Sequence, residues 1–172
     1  MIQRHFTSEN PRGWNEVIMY KKILVPLDGS ALAECVLPHV QALVEGCHVR
    51  EVVFMRVVEP LSPIVVGETM MPPAEVERVT ANMTFEAGSY LKTLVGRLKY
   101  DGVETSWQLK TGRVAETVAD FAANHGVDLI VIATHGRSGV SRWVWGSIAD
   151  RILRSACVPV LMVRAPGCIP GV

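Results

Sequence analysis

The 172-residue chain has no long hydrophobic run, no excess charge of either sign and no paired-cysteine motif. Its apolar pieces are of strand length, such as Leu129-Ile130-Val131-Ile132-Ala133, far short of the ~18 residues of a membrane span. With 17 Lys+Arg against 17 Asp+Glu and no basic block, there is no electrostatic footprint for nucleic acid and no polybasic segment for a membrane surface. Cys35, Cys47, Cys157 and Cys168 form no C-x-x-C pair and have no histidine at zinc-ligand spacing, so they read as buried or incidental thiols. The first 17 residues carry Arg4, Glu9, Arg12 and Glu16 and lack the apolar stretch of a signal peptide, so a cytoplasmic protein is expected.

What is present is a 49% hydrophobic composition, which excludes disorder. A chain of this length hides roughly 70% of its unfolded surface, enough for one full core without disulfides or metal. No repeat and no composition shift marks a second domain. The expected organisation is an N-terminal extension over residues 1–18, one domain over 19–166 and a C-terminal tail over 167–172.

Apolar runs without alternation mark strands buried on both faces: Ile23 to Leu27, Val52 to Val58, Asp128 to Ala133 and Val158 to Val163. Residues 103–110 alternate, with Val103, Thr105, Trp107 and Leu109 on one side, which predicts an edge strand with one wet face. Helical stripes lie between them. Cys35, Val36, Val40, Leu43 and Val44 form the first, with Ser30 as N-cap, and Val76 to Leu98 hold the second. Val114, Val118, Phe121 and Ala122 form the third, and the fourth starts at Ser147. Residues 60–73 contain four prolines and are expected to be an irregular crossover. Alternation of strand and helix predicts an α/β fold: a doubly wound five-stranded parallel sheet with helices on both faces, Rossmann-like, with right-handed crossovers.

In such sheets a ligand sits beyond the C-terminal strand ends, where the strand order reverses. Two strand ends carry suitable loops: Pro26-Leu27-Asp28-Gly29-Ser30 and the Gly-rich segment from Ala133 to Ser147. If the first and fourth strands are neighbours, both loops face one crevice. Gly136, Gly139 and Gly146 let backbone N–H groups approach a guest, Ser147 opens a helix whose N-terminus attracts anions, and Arg137 and Arg142 add cations. A nucleotide phosphate fits that chemistry. No G-x-x-x-x-G-K-[ST] or G-x-G-x-x-G pattern occurs. The plain reading is a capping box, Ser147 with Asp150, in which Gly146 relieves a tight helix entry.

At this point the chain resembles the universal stress protein family, whose nucleotide signature is G-x2-G-x9-G-(S/T). Here it reads Ala133-x2-Gly136-x9-Gly146-Ser147, with Ala replacing the first Gly. The resemblance extends to Tyr20 through Ser30, Thr111 through Glu116, Gly126 through Val131 and Cys157 through Val163, and covers about residues 19–164. It implies a fold like that of the adenine nucleotide alpha hydrolases, ATP in the crevice with Mg2+ or Mn2+, and a homodimer joined through the last strand, residues 158–163. Residue by residue, it implies that Asp28 lies near the nucleotide and, through water, its metal; Pro26, two residues earlier, is a further candidate for the nucleotide site. Val57 would face adenine, Ile132 and Ala133 the ribose, and Gly136, Gly146, Ser147 and Ile148 the phosphates; Arg137, like Arg142, reads evenly as a phosphate contact or a solvated loop charge. Ala133 adds a methyl where backbone and ligand are expected to pass closely.

Simpler roles compete for the same residues. The alternative for Asp28 is to cap the first helix or hold a turn. His135 has no nucleophile and orienting residue to make it a catalytic base. Trp143 and Trp145 suit packing against the sheet or a second subunit. His39 and His125 read as helix-surface residues, and Met55, Met83 and Met162 as core filler.

The resulting expectation is an ATP-binding regulatory dimer. It is not expected to be an enzyme beyond slow ATP hydrolysis, because no positioned water, orienting residue and arginine finger can be named. The alternatives are a nucleotide-free dimeric stress-response scaffold and an adenylating-type enzyme. The latter carries an S-G-G-x-D loop where this chain has Leu27-Asp28-Gly29-Ser30. An apolar last strand left at a sheet edge predicts pairing with a second copy.

Overall fold

A computed structural model describes residues 20–61, 65–66, 69–70, 72–134 and 147–164. The extension over residues 1–18 and the tail over 167–172 lie outside the described residues. So do His135, Gly136, Arg137, Gly139, Arg142, Trp143, Trp145, Gly146 and Cys168.

The strands are β1 (Lys22–Pro26), β2 (Glu51–Val58), β3 (Val65–Val66), β4 (Thr69–Met70), β5 (Glu104–Thr111), β6 (Leu129–Ala133) and β7 (Val160–Val163). The helices are α1 (Leu37–Gly46), α2 (Pro73–Arg97), α3 (Val114–Asn124) and α4 (Ser147–Ser155), with a 3-10 turn over Ala33–Val36 leading into α1. Five strands form one sheet in the order β5-β2-β1-β6-β7, every neighbouring pair parallel. The doubly wound architecture is therefore the one expected. Its strand order reverses at β1, which lies between β2 and β6.

The unbroken apolar runs are explained by the two cores. Ile23, Val25 and Leu27 of the β1 segment, Val52 and Phe54 of β2, and Leu129 and Val131 of β6 face one cluster with Val36, Val40, Leu91 and Leu94 of the α1 and α2 layer. Their alternates Leu24, Val53, Met55, Ile130 and Ile132 face a second cluster with Val118, Phe121, Ala149 and Ile152 of α3 and α4. Successive side chains point to opposite faces of a strand, so a strand covered on both sides is apolar at every position.

Beyond shifts of one residue at strand ends, four features differ from the sequence reading. Asp128 precedes β6 rather than starting it, because its side chain is used elsewhere: Oδ2 accepts the N–H groups of Lys21 and Lys22, each at 2.9 Å. Val158 and Pro159 precede β7. The Pro159 carbonyl still accepts the Ile130 N–H at 3.0 Å, so the ladder is anchored before the strand begins. The crossover after β2 is not wholly irregular, since β3 and β4 pair antiparallel with Val65 opposite Met70 and Val66 opposite Thr69. β-Branched Val65, Val66 and Thr69 suit that pairing, which proline counting overlooks.

The fourth difference is at β5. It is an edge strand as expected, but neither face is fully wet: Gln108 and Lys110 are half-buried while Trp107, on the apolar side, is 38% exposed. The Lys110 ammonium lies 5.8 Å from the Phe121 ring centroid. A lysine combines a long aliphatic stem with a charged tip, so a half-buried position is open to it that alternation alone assigns to solvent.

Candidate functional site

β1 and β6 are hydrogen-bonded neighbours, with Ile23 opposite Leu129 and Leu24 opposite Ile130. The condition for a shared crevice is met, because the loops after both strands leave the same edge of the sheet at its switch point.

Pro26, buried, is the last residue of β1 and lies opposite Met55. Its missing N–H does not interrupt the ladder, which continues one step further as the Leu27 N–H donates to the Met55 carbonyl at 2.8 Å. The chain then turns. Asp28 Oδ1 accepts the Ser30 N–H at 2.9 Å and the Ser30 hydroxyl at 2.6 Å. Ser30 Oγ accepts the Ala33 N–H at 3.1 Å, and its carbonyl accepts the Glu34 N–H at 3.3 Å. Ser30 thus caps the first turn, as its position predicts. The turn is 3-10 over Ala33–Val36 before α1 takes over.

Gly29 between them has φ of 81°, a left-handed conformation that side chains resist. A Cβ there would also lie 2.8 Å from Arg56 Nη1. The turn requires glycine, whereas the Arg56 guanidinium is the end of a flexible side chain that can shift from an added Cβ.

Beside β1, β2 ends in Arg56-Val57-Val58, where Val57 is half-buried against the α3 and α4 cluster. The following Glu59 accepts the Val114 N–H at 3.2 Å through Oε1, which caps α3 with a carboxylate at its positive end. On the other side, Ile132 lies opposite Met162 and Ala133 opposite Val163, and the Thr134 N–H extends the ladder to the Val163 carbonyl at 2.8 Å. Ala133 is 8% exposed and its methyl belongs to the α1 and α2 core cluster, so the core accommodates the extra carbon.

Ser147 and Ile148 are exposed at the first turn of α4, while Ala149 and Ile152 are buried and fix the helix on the sheet. Asp150 is bonded to Arg154 Nε at 2.9 Å, one turn further along the helix. Of the sequence-predicted site residues, Pro26, Asp28 and Val57 leave β1 and β2 while Ile132 and Ala133 end β6, all at one edge of the sheet. Ser147 and Ile148 open α4.

Four residues with a claim on this site escaped the sequence reading. Arg56 is the one charged residue in the otherwise apolar run from Val52 to Val58, a signal that was available. Its Cζ lies 5.7 Å from the centroid of the Tyr90 ring. The Tyr90 hydroxyl donates to Glu34 Oε1 at 3.0 Å, and Glu34 also pairs with Arg97. Burial first, then the Glu34 carboxylate, hold the Tyr90 phenol well above its ordinary range. Burial also raises the Cys35 thiol, which disfavours the reactive thiolate. Among the described residues, no three His, Cys, Asp or Glu side chains are grouped to hold a metal ion.

Residues 19–164 match the sequence model of the universal stress protein family. The chain belongs to the universal stress protein family. Among its relatives, this family member is 30% identical to universal stress protein MJ0531 of Methanocaldococcus jannaschii over 86% of the chain and 84% of that protein. It is likewise 30% identical to universal stress protein Sll1388 of Synechocystis, over 84% of the chain and 98% of the relative. The solved structure of MJ0577 superposes with a TM-score of 0.72 at 25% identity, covering 87% of this chain and 99% of that one. Among the described residues, no helix is long and apolar enough to cross a membrane.

Proposed function

We propose that this universal stress protein is an ATP-binding regulatory homodimer of the stress response, in which nucleotide occupancy of the switch-point crevice changes the surface that partners read. The observation that carries the reading is the pairing of β1 with β6, which brings the Asp28–Ser30 loop and the end of β6 to one edge. To this the sequence adds Gly136, Arg137 and Gly146 at the family's spacing before Ser147. Tight glycine-bearing turns and a helix start are what a polyphosphate needs, because backbone N–H groups supply donors without the volume of side chains.

In this reading Val57 borders the base, Ile132 and Ala133 the ribose, and Gly136, Arg137, Gly146, Ser147 and Ile148 the phosphates. Asp28 Oδ1 is engaged by Ser30, so the donor set suits Mg2+ or Mn2+ held chiefly by phosphate and water, with Asp28 acting through a water. The cation, when bound, neutralises phosphate charge. The chain's own part is binding and orientation rather than fast hydrolysis. A nucleotide-free dimeric scaffold is the competing reading, favoured by Ala133 in the first signature position.

The homodimer is supported by β7. It is an edge strand, and Leu161 is 37% exposed on it. A two-fold pairing of this strand would cover an edge that otherwise invites uncontrolled association.

The test is calorimetric titration of nucleotide-stripped protein with Mg·ATP, beside the double variant Gly136→Asp/Ser147→Glu, which puts carboxylates where phosphates are expected. Wild-type binding that the folded double variant loses is the expected result. No heat and no thermal shift in the stripped wild type refute the ATP reading in favour of the scaffold. A monomer by light scattering at micromolar concentration refutes the dimer.

A further inference from the structure

The residues around the Asp28–Ser30 loop come from three elements and close a ring. A Cβ built on Gly29 would lie 2.8 Å from Arg56 Nη1 and 3.2 Å from Arg56 Cζ, so the guanidinium presses on the loop where it has no side chain. The guanidinium also lies over the face of Tyr90, 5.7 Å from the centroid, within the range of a cation–π attraction. Tyr90, on α2, donates its hydroxyl to Glu34, which pairs with Arg97 of the same helix. Glu34 returns to the start, because its N–H donates to the carbonyl of Ser30.

The ring therefore runs from Gly29 to Arg56, Tyr90, Glu34 and Ser30, and Tyr90 is its only member from α2. A cavity of ≈ 330 Å³ lined by Glu34, Ser89, Tyr90, Thr93, Leu94 and Arg97 opens beside it. Tyr90 packs against the core cluster shared by α1 and α2, while its contact with the guanidinium and its hydroxyl bond to Glu34 tie it to the loop. Loops at strand ends are the mobile parts of such folds, and a site built on them needs support from rigid elements behind.

We infer that Tyr90 is the positioning residue of the Asp28–Ser30 loop, holding Arg56 against Gly29 and, through Glu34, the turn that follows Ser30. The consequence for nucleotide affinity rests on the ATP reading above; the consequence for loop geometry does not. The ring ties the crevice edge to α2, so a change at Tyr90 or Glu34 on that side of the protein is transmitted to the loop that carries Asp28.

The experiment records backbone amide resonances and Mg·ATP affinity for the full chain and for Tyr90→Leu, Tyr90→Phe and Arg56→Gln. Tyr90→Leu is expected to move the Gly29 and Ser30 amides and to weaken Mg·ATP about tenfold, the equivalent of one partly desolvated cation–π contact. Tyr90→Phe keeps the ring face and is expected to stay within about threefold, the loss of one hydrogen bond. Arg56→Gln reproduces Tyr90→Leu, and the double variant is no worse than either single one. Unmoved Gly29 and Ser30 amides in folded Tyr90→Leu and Arg56→Gln overturn the inference, as do affinity losses that follow melting temperature equally in all three variants. If Tyr90→Leu does not fold, Arg56→Gln carries both readouts. Amides that move as expected in a protein whose wild type takes up no Mg·ATP uphold the positioning role and remove the nucleotide reading instead.

Discussion

Two aspartates at opposite ends of the sheet show how one residue type serves two purposes. Asp128, at the N-terminal edge, accepts backbone N–H groups of Lys21 and Lys22, more than a hundred residues away, and so staples the entry of β1 to the entry of β6. The Lys22–Glu51 ion pair at 2.9 Å adds the entry of β2 to the same seam. Asp28, at the C-terminal edge, bonds to Ser30 two residues on and shapes a turn containing a left-handed glycine. Asp128 thus closes a strand entry with long-range bonds, whereas the bonds from Asp28 to Ser30 are local and shape the turn that follows β1. Locally shaped loops leave room for a guest; stapled backbone does not.

The comparison predicts opposite signatures for the two residues. The largest effect expected in stability is for Asp128→Ala, which removes two bonds to a charged acceptor and costs about 2–3 kcal/mol in denaturant unfolding. Mg·ATP affinity of the folded fraction is expected to be unchanged, and a loss of affinity would break the division between the two edges. Gly29→Ala comes next, at about 1–2 kcal/mol from the left-handed conformation, with the Arg56 guanidinium displaced from the loop. It should also weaken Mg·ATP, measured in the same two assays. Asp28→Ala is expected to cost about 1 kcal/mol of stability, as a lost cap does, while lowering Mg·ATP affinity about tenfold. Smallest is Lys22→Ala, about 0.5 kcal/mol by the same unfolding assay, because a half-exposed ion pair is screened by water and salt.

Alkaline pH sharpens the same contrast, because the loop's support includes a half-buried phenol and the staple does not. Tyr90 is held above its ordinary value of 10 by burial and by Glu34, and burial raises Tyr100 too. The folded protein then keeps these protons after the unfolded chain has lost them. Stability is accordingly undiminished below about pH 10 and falls as the pH rises beyond it. Tyr90→Phe is expected to flatten that fall, read as the slope of unfolding free energy against pH on either side of this point.

The legible parts of the sequence were those in which one local rule acts alone. Five apolar or alternating runs separated by helical stripes specify a doubly wound sheet, and the Ser30 cap and the Gly29 turn follow from residue type. The β3–β4 pairing was less legible because proline-rich composition masks two short β-branched pieces. At β5, Gln108 and Lys110 are half-buried, a position open to long stems whatever the charge at their tips. The candidate crevice was readable as two loops, but not as one place until β1 was found beside β6.

Composition and periodicity determined the fold class and singled out two candidate loops, because each depends on residues near one another in the chain. The tertiary structure decided what distant residues do together. It placed Asp128 across the entry of β1, drew Ala133 into the core, and brought Arg56, Tyr90 and Glu34 around Gly29. Strand order and helix docking set those meetings, and both depend on burying two faces of one sheet at once, a condition that no local stretch of sequence contains.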